Sequence, residues 1–189
     1  MRREDFDSDE EFYFSWYCEE LVENGYAFSW GIEKNTFNLT NGLSISYIKE
    51  MKRVENKQMK QVILKPSEYT PDFTINWNEK ALGVFTSKLY SGNKITTPFI
   101  CDRNLTSIIE IKGEWDNNNM TRLAINNIKF LYDKHGIYTN LIKVPSIFKN
   151  TFTPTKYLTT NKSGKPRKIK YNKVLTLNQF TSEVMRSTN

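Results

Sequence analysis

From residue 9 to residue 23 apolar side chains recur every three or four positions, at Phe14, Tyr17, Cys18, Leu21 and Val22, which predicts an amphipathic helix. Ser8 stands at its N-cap with Glu11 three residues on, a capping-box spacing, and Gly25 supplies the stop. Residues 26 to 65 are mixed, with strand-like runs at 43 to 48 and 62 to 64 around a charged stretch. The run Phe73-Thr74-Ile75-Asn76-Trp77 alternates with period two, the pattern of a half-buried strand, entered directly from Pro71-Asp72. Further strands are predicted at 82 to 90, followed by a Gly92-Asn93 turn, and at 105 to 112, where Ile108, Ile109 and Ile111 lie. Asp116 to Asn119 reads as a loop and helix entry. A second helix then buries Leu123, Ile125, Ile128, Leu131 and Tyr132 and ends at Gly136, and a β-rich run from 138 to 144 ends at Pro145.

Helix, strands, helix, strand is an α/β order, with helices covering a mixed central β-sheet. Past Pro154 the pattern predicts a C-terminal basic β-hairpin, turning at Ser163-Gly164 and returning through Lys168-Ile169-Lys170-Tyr171, with residues 174 to 180 closing against the body. A chain of 189 residues holds one such domain: a core over 1–150, with 151–189 packed on it. No internal repeat is visible.

Composition narrows the chemistry. Aromatics make up 14% of the chain, enough to build a core. Two cysteines, Cys18 and Cys101, are too few and too far apart for a zinc knuckle or a disulfide framework, and one histidine excludes two-histidine metal sites and His-pair ribonuclease chemistry. No stretch approaches the length of a membrane span, so a soluble protein of a reduced, cytoplasmic compartment is expected. Catalysis must rest on carboxylates, lysines and hydroxyls.

Net charge is +6, unevenly spread. Acid crowds the start of the chain, whereas 156 to 173 holds seven basic residues and no acid, which suits a polyanionic partner. In that segment Lys162, Lys165, Arg167, Lys168, Lys170 and Lys173 are the candidate nucleic-acid contacts, expected to give salt-sensitive phosphate binding.

The candidate reaction centre comes from spacing. Glu110 and Lys112, two residues apart in an alternating strand, share a face while Ile111 points into the core. If Asp72 begins a neighbouring strand, two carboxylates converge on one point, an oxygen-rich place suited to Mg²⁺. Glu114 has the same parity but follows Gly113, and is a spare acid at most.

Tyr69-Thr70-Pro71-Asp72-Phe73 followed by Ile108-Ile109-Glu110-Ile111-Lys112-Gly113 resembles the two-part signature of the PD-(D/E)XK nuclease superfamily. The flanking helices and strand match that superfamily's order over roughly residues 8 to 145. The resemblance implies a restriction-endonuclease-like core and a metal-dependent endonuclease. Asp72, Glu110 and the carbonyl of Ile111 would hold Mg²⁺, or Mn²⁺ in its place, and Lys112 would orient or activate the attacking water. It also implies an acid from the first helix, for which Glu11, on the stripe of Phe14, Cys18 and Leu21, ranks ahead of Glu10. Members of the superfamily place a polar or basic residue on the later helix near the phosphate; Arg122, Asn126 and Lys129 stand open for that role.

Within the superfamily the chain looks like phage-borne endonucleases related to Holliday junction resolvases, which implies DNA, branched DNA among it, as substrate, and a homodimer by analogy. It is also similar to the nuclease subunit of cut-and-paste transposons. A different class stays open: an inactive nucleic-acid-binding or virion-associated protein retaining the fold. Gly136-Ile137-Tyr138 and Gly164-Lys165 each match only part of a known motif and carry no function, and His135 is explained by its place at a helix C-terminus.

Overall fold

The computed structural model describes residues 1–50, 57–85, 87–88, 94–95, 99–113, 119–160, 164–169, 171 and 173–188. Helix α1 spans Asp9–Glu23. The Ser8 hydroxyl accepts from the Glu11 amide at 3.1 Å and donates to the Glu11 carboxylate at 2.7 Å, closing the predicted cap. At the other end Gly25, at φ +71, lets the Tyr26 amide reach the Leu21 carbonyl and its own amide the Val22 carbonyl, the paired bonds of a Schellman stop.

Strands β1 (Ala27–Ile32), β2 (Phe37–Thr40), β3 (Leu43–Lys49), β4 (Lys57–Leu64), β5 (Ser67–Tyr69) and β6 (Phe73–Trp77) follow. After the short β7 (Ser87–Lys88) and β8 (Lys94–Ile95) come β9 (Thr106–Lys112), α2 (Asn119–His135), β10 (Thr139–Lys143), α3 (Val144–Asn150) and α4 (Leu177–Thr188).

The central sheet runs β1-β6-β9-β10. It is mixed: β6 is antiparallel to both β1 and β9, while β10 lies parallel to β9. The α/β class with helices around a mixed sheet therefore holds. Alternation makes β6 bury Phe73, Ile75 and Trp77 on one face, where they meet Phe14, Tyr17, Cys18 and Leu21 of α1 together with Ile109 and Ile111 of β9. The other side has a smaller cluster: Leu39 of β2, Tyr69 of β5 and Leu131 of α2, with Phe37, Ile128 and Ile137 against it.

Three expectations change. Residues 82 to 85 form a turn, with Ala81 and Phe85 buried in the core; of the strand expected over 82 to 90, Ser87–Lys88 is a strand, and residues 86, 89 and 90 lie outside the described residues. The Gly92-Asn93 turn, the loop from Asp116 to Asn118 and Glu114 lie outside the described residues. Helix α2 rests on Ala124, Leu131 and part of Ile128, whereas Leu123 and Tyr132, 55% and 57% exposed, flank that stripe in solvent. Pro145 does not merely end β10: it opens α3, where a proline in the first turn loses no helical hydrogen bond.

The C-terminal segment differs most. A single antiparallel bridge joins Thr159 to Pro166, and residues 167 to 169 belong to no strand, while Ser163 and Lys170 fall outside the described residues. Residues 177 to 180, expected only to close on the body, begin α4, with Leu177 buried and Phe180 against the core. No helix among the described residues is long and apolar enough to cross a membrane.

Candidate active site

Asp72 sits immediately before β6. Its amide donates to the Ile109 carbonyl at 3.0 Å and its carbonyl accepts from the Glu33 amide at 3.0 Å, so both neighbouring strands hold its backbone. One residue pair further along, β6 has not begun, and the Asp72 side chain takes the place of a ladder partner: its Oδ2 accepts from the Ile111 amide at 2.6 Å. In extended backbone a residue's carbonyl leaves on the same edge as its amide, so the Ile111 carbonyl also faces the Asp72 edge.

Glu110 and Lys112 share the opposite face of β9 from Ile109 and Ile111, which lie in the main core. Lys112 Nζ lies 2.6 Å from Glu110 Oε1, and the Tyr69 hydroxyl donates to Glu110 Oε2 at 2.7 Å. Glu110 is only 5% exposed, and both of its oxygens are thereby engaged. Tyr69 reaches it from β5, a strand outside the central sheet, and the buried phenol is held firmly protonated by burial and by the charge of Glu110.

Burial, then the neighbouring charge of Glu110, pushes the Asp72 carboxyl up to about 7; the Ile111 amide and Lys112 oppose this without cancelling it. The pair of acids is thus short of positive charge. Glu33 follows β1, and its amide is the donor to the Asp72 carbonyl. Burial raises its pKa, but hydrogen bonds from the Thr74 hydroxyl and from the Asn35 and Lys34 amides outweigh that and hold it below the usual range.

Of the two candidate acids in the first turn of α1, Glu11 spends its oxygens on the cap, one on the Ser8 hydroxyl and one on the Asp7 amide at 3.3 Å, although its charge still contributes to the raised Asp72 pKa. Glu10 reaches towards the end of β9: a methyl group on Gly113 would stand 3.7 Å from its Oε1. Among the described residues no three His, Cys, Asp or Glu side chains gather closely enough to hold a metal ion by themselves. The donors brought together are two carboxylates and one strand carbonyl, all hard oxygens. That set fits a cation such as Mg²⁺, which keeps several waters and takes one or two protein carboxylates.

The basic C-terminal segment does not converge on this centre through its arginine. The Arg167 guanidinium stacks between the Tyr13 and Tyr157 rings, 4.8 and 4.4 Å from their centroids, and its Nε donates to the Tyr157 carbonyl at 3.0 Å. Lys173 pairs with Glu183 of α4. Lys165 and Lys168 are exposed, and Lys162 and Lys170 lie outside the described residues. Arg122, Asn126 and Lys129 of α2 are solvent-facing. His135 closes α2 with its Nε2 2.9 Å from the Asn38 carbonyl.

Sequence reasoning assigned no role to Tyr69 or Glu33. Tyr69 lay within the quoted motif, three residues before Asp72; nothing in a linear pattern says that the strand carrying it folds over β9. The chain matches no family model, no curated protein and no solved structure.

Proposed function

We propose that this chain is a divalent-metal-dependent endonuclease hydrolysing DNA phosphodiester bonds, built on a core like that of the PD-(D/E)XK superfamily it resembles. The observation that carries the proposal is the meeting of Asp72, Glu110 and Lys112: a half-buried carboxyl whose pKa is raised by burial and by its neighbour, and a buried carboxylate with an ammonium held at 2.6 Å. Asp72, Glu110 and the Ile111 carbonyl would hold Mg²⁺, with Mn²⁺ as substitute. When bound, the cation supplies positive charge against the scissile phosphate and makes nearby water more acidic.

The protein's own groups do the rest. The Ile111 amide and the Tyr69 hydroxyl fix one oxygen each of Asp72 and Glu110, so neither carboxylate has to be ordered during the reaction. Lys112 donates hydrogen bonds to the attacking water or to a phosphate oxygen and stabilises the charge that grows as the water oxygen bonds to phosphorus and the bridging P–O bond breaks. Of the helix acids, the position of Glu10 beside Gly113 suits an outer contact better than that of Glu11, whose oxygens already close the cap. A preference for branched DNA, a homodimer, a phage or transposon context and a hairpin in the C-terminal segment rest on the sequence resemblance alone.

A second reading is favoured by one observation: both Glu110 oxygens are bonded within the protein and no third acid joins the pair among the described residues. On that reading the chain binds nucleic acid without cutting it. Labelled branched, linear duplex and single-stranded DNA incubated with the purified protein in Mg²⁺ or EDTA separates the two. Cleavage in Mg²⁺ that EDTA abolishes is the expected result; binding without cleavage in Mg²⁺ and in Mn²⁺ would establish the second.

A further inference from the structure

Strands β3 and β4 form an antiparallel ribbon that joins neither the central sheet nor any other strand among the described residues. Its burial is that of an arm: every residue from Ile45 to Lys49 is exposed, and Leu43, Ile45, Tyr47, Ile48, Val62, Ile63 and Leu64 are all large apolar side chains in solvent. A two-stranded ribbon with nothing packed on it is marginal in water. At its root the geometry is tight. Gly42 adopts φ +82, and a methyl group there would stand 2.9 Å from the Pro66 ring, so the ribbon leaves the body in a set direction.

The charge on this arm is unspent. Lys49, Lys57, Lys60 and Lys65 are exposed, and none of them forms an ion pair among the described residues, in contrast to Lys156 and Lys173 of the C-terminal segment. Lys49 and Lys57 stand directly opposite each other in the register, a cross-strand pair of like charges that costs stability unless an anion neutralises it. The sequence between them adds Lys52 and Arg53 against Glu50 and Glu55. Those four charges cancel, so the excess of positive charge on the arm comes from Lys49, Lys57, Lys60 and Lys65.

The arm is also wired to the candidate centre. It is inserted between β2 and β5, which pair with each other, and β5 ends at Tyr69, the residue that hydrogen-bonds Glu110. Three residues later the chain reaches Asp72. Whatever the arm grips is therefore tethered, through β5, to the strand that reaches Glu110 and leads into Asp72.

We infer that the β3–β4 arm is a duplex-gripping ribbon: it lies in a groove of double-stranded nucleic acid beside the scissile phosphate, its lysines on the backbone and its apolar side chains against base edges and sugars. A two-stranded ribbon has the width the major groove admits. Strands of this length reach roughly 20 Å, about six base pairs of duplex at one base pair per ~3.4 Å. The inference rests on the nuclease reading for the identity of the ligand, but the two fail separately.

The test is equilibrium binding of a labelled duplex in EDTA, where no cutting occurs, over a series of salt concentrations. The substitutions Lys49→Gln, Lys57→Gln and Lys60→Gln together are expected to weaken binding at least tenfold and to flatten the slope of log affinity against log salt by about 2 to 3, since each phosphate contact contributes about 0.9. The corresponding three Lys→Arg changes are expected to keep the slope. All three positions are exposed, and an unchanged thermal melt shows that the fold survives. A wild-type protein that cuts DNA while the Gln variant keeps its slope overturns the arm and leaves the nuclease intact. A slope that falls as expected in a protein that never cuts supports the arm and overturns the nuclease. If Ile45→Thr with Tyr47→Thr converts a dimer to a monomer and the Gln variant keeps its slope, the ribbon is a self-association surface and the inference is wrong.

Discussion

Carboxylates crowd in two parts of this molecule, and they are held in different ways. On the outer side of α1, Glu19, Glu20 and Glu23 line a cleft with Trp16, Thr155 and Lys156. There Lys156 pairs with Glu19 at 2.7 Å, and Glu20 accepts from the Thr155 amide at 2.9 Å. At the ends of β6 and β9 Glu110 is buried and Asp72 half-buried, and their partners are a strand amide, a phenol and one lysine. The first cluster fastens the C-terminal segment to the helix. In both clusters burial raises a carboxyl, Glu20 in the first and Asp72 in the second, but only Asp72, pushed up to about 7, has a second acid beside it as a further cause of that size.

Four measurements test this contrast. The largest effects are expected at the two site residues. Lys112→Ala should lower cleavage in Mg²⁺ roughly 10²- to 10⁴-fold with the fold retained. Asp72→Asn should lower it by a similar factor and yet stabilise the protein. The Asp72 pKa is raised from 3.8 to about 7 on folding, so its protonated form is the one the fold prefers, and stability is lost as pH rises through that window. In metal-free buffer the variant should gain on the order of 2 kcal/mol over wild type at pH 8, with the advantage vanishing towards pH 4. A variant less stable than wild type at pH 8 would show that Asp72 is not under this stress.

Tyr69→Phe ranks third. It strips a buried carboxylate of a donor and should cost about 1–3 kcal/mol of stability. A thermal melt together with single-turnover cleavage distinguishes loss of fold from loss of Glu110 positioning. The smallest effect belongs to the outer cluster. Lys156→Ala removes a largely exposed pair and should cost less than about 1 kcal/mol, leaving cleavage unchanged. A large loss of activity there would collapse the distinction between the two clusters.

Local rules explain what could be read from the residues alone. Helix α1 and strand β6 were legible because a cap, a period and a stop agree over one short window. Glu110 and Lys112 could be put on one face because two-residue spacing fixes parity in any strand. Strand β1 alternates at Phe28, Trp30 and Ile32, but its burial does not follow that period: Phe28 is 70% and Ile32 36% exposed at the sheet edge. Two helix starts were written in the sequence and passed over. Pro145 opens α3, and Thr176 with Gln179 makes a reciprocal cap before α4, the Thr176 amide donating to Gln179 Oε1 at 2.9 Å.

Tyr69 and Arg167 show the limit of such rules. The partner of Tyr69 is 41 residues away on another sheet, and the charge of Arg167 is taken up by rings 10 and 154 positions distant. A count of basic residues marks where charge is encoded; only packing decides whether it remains available. By that criterion the arm formed by β3 and β4 offers more free charge than the described part of the C-terminal segment.

Whether Asp72, Glu110 and Lys112 form a single cleavage centre is tested most directly by single-turnover cleavage of labelled DNA in Mg²⁺ by wild type, Asp72→Asn and Lys112→Ala, each checked for an unchanged fold. Cleavage by the wild type and a loss of at least about a hundredfold in both variants is the expected result. Cleavage at the wild-type rate by either variant would contradict a shared centre.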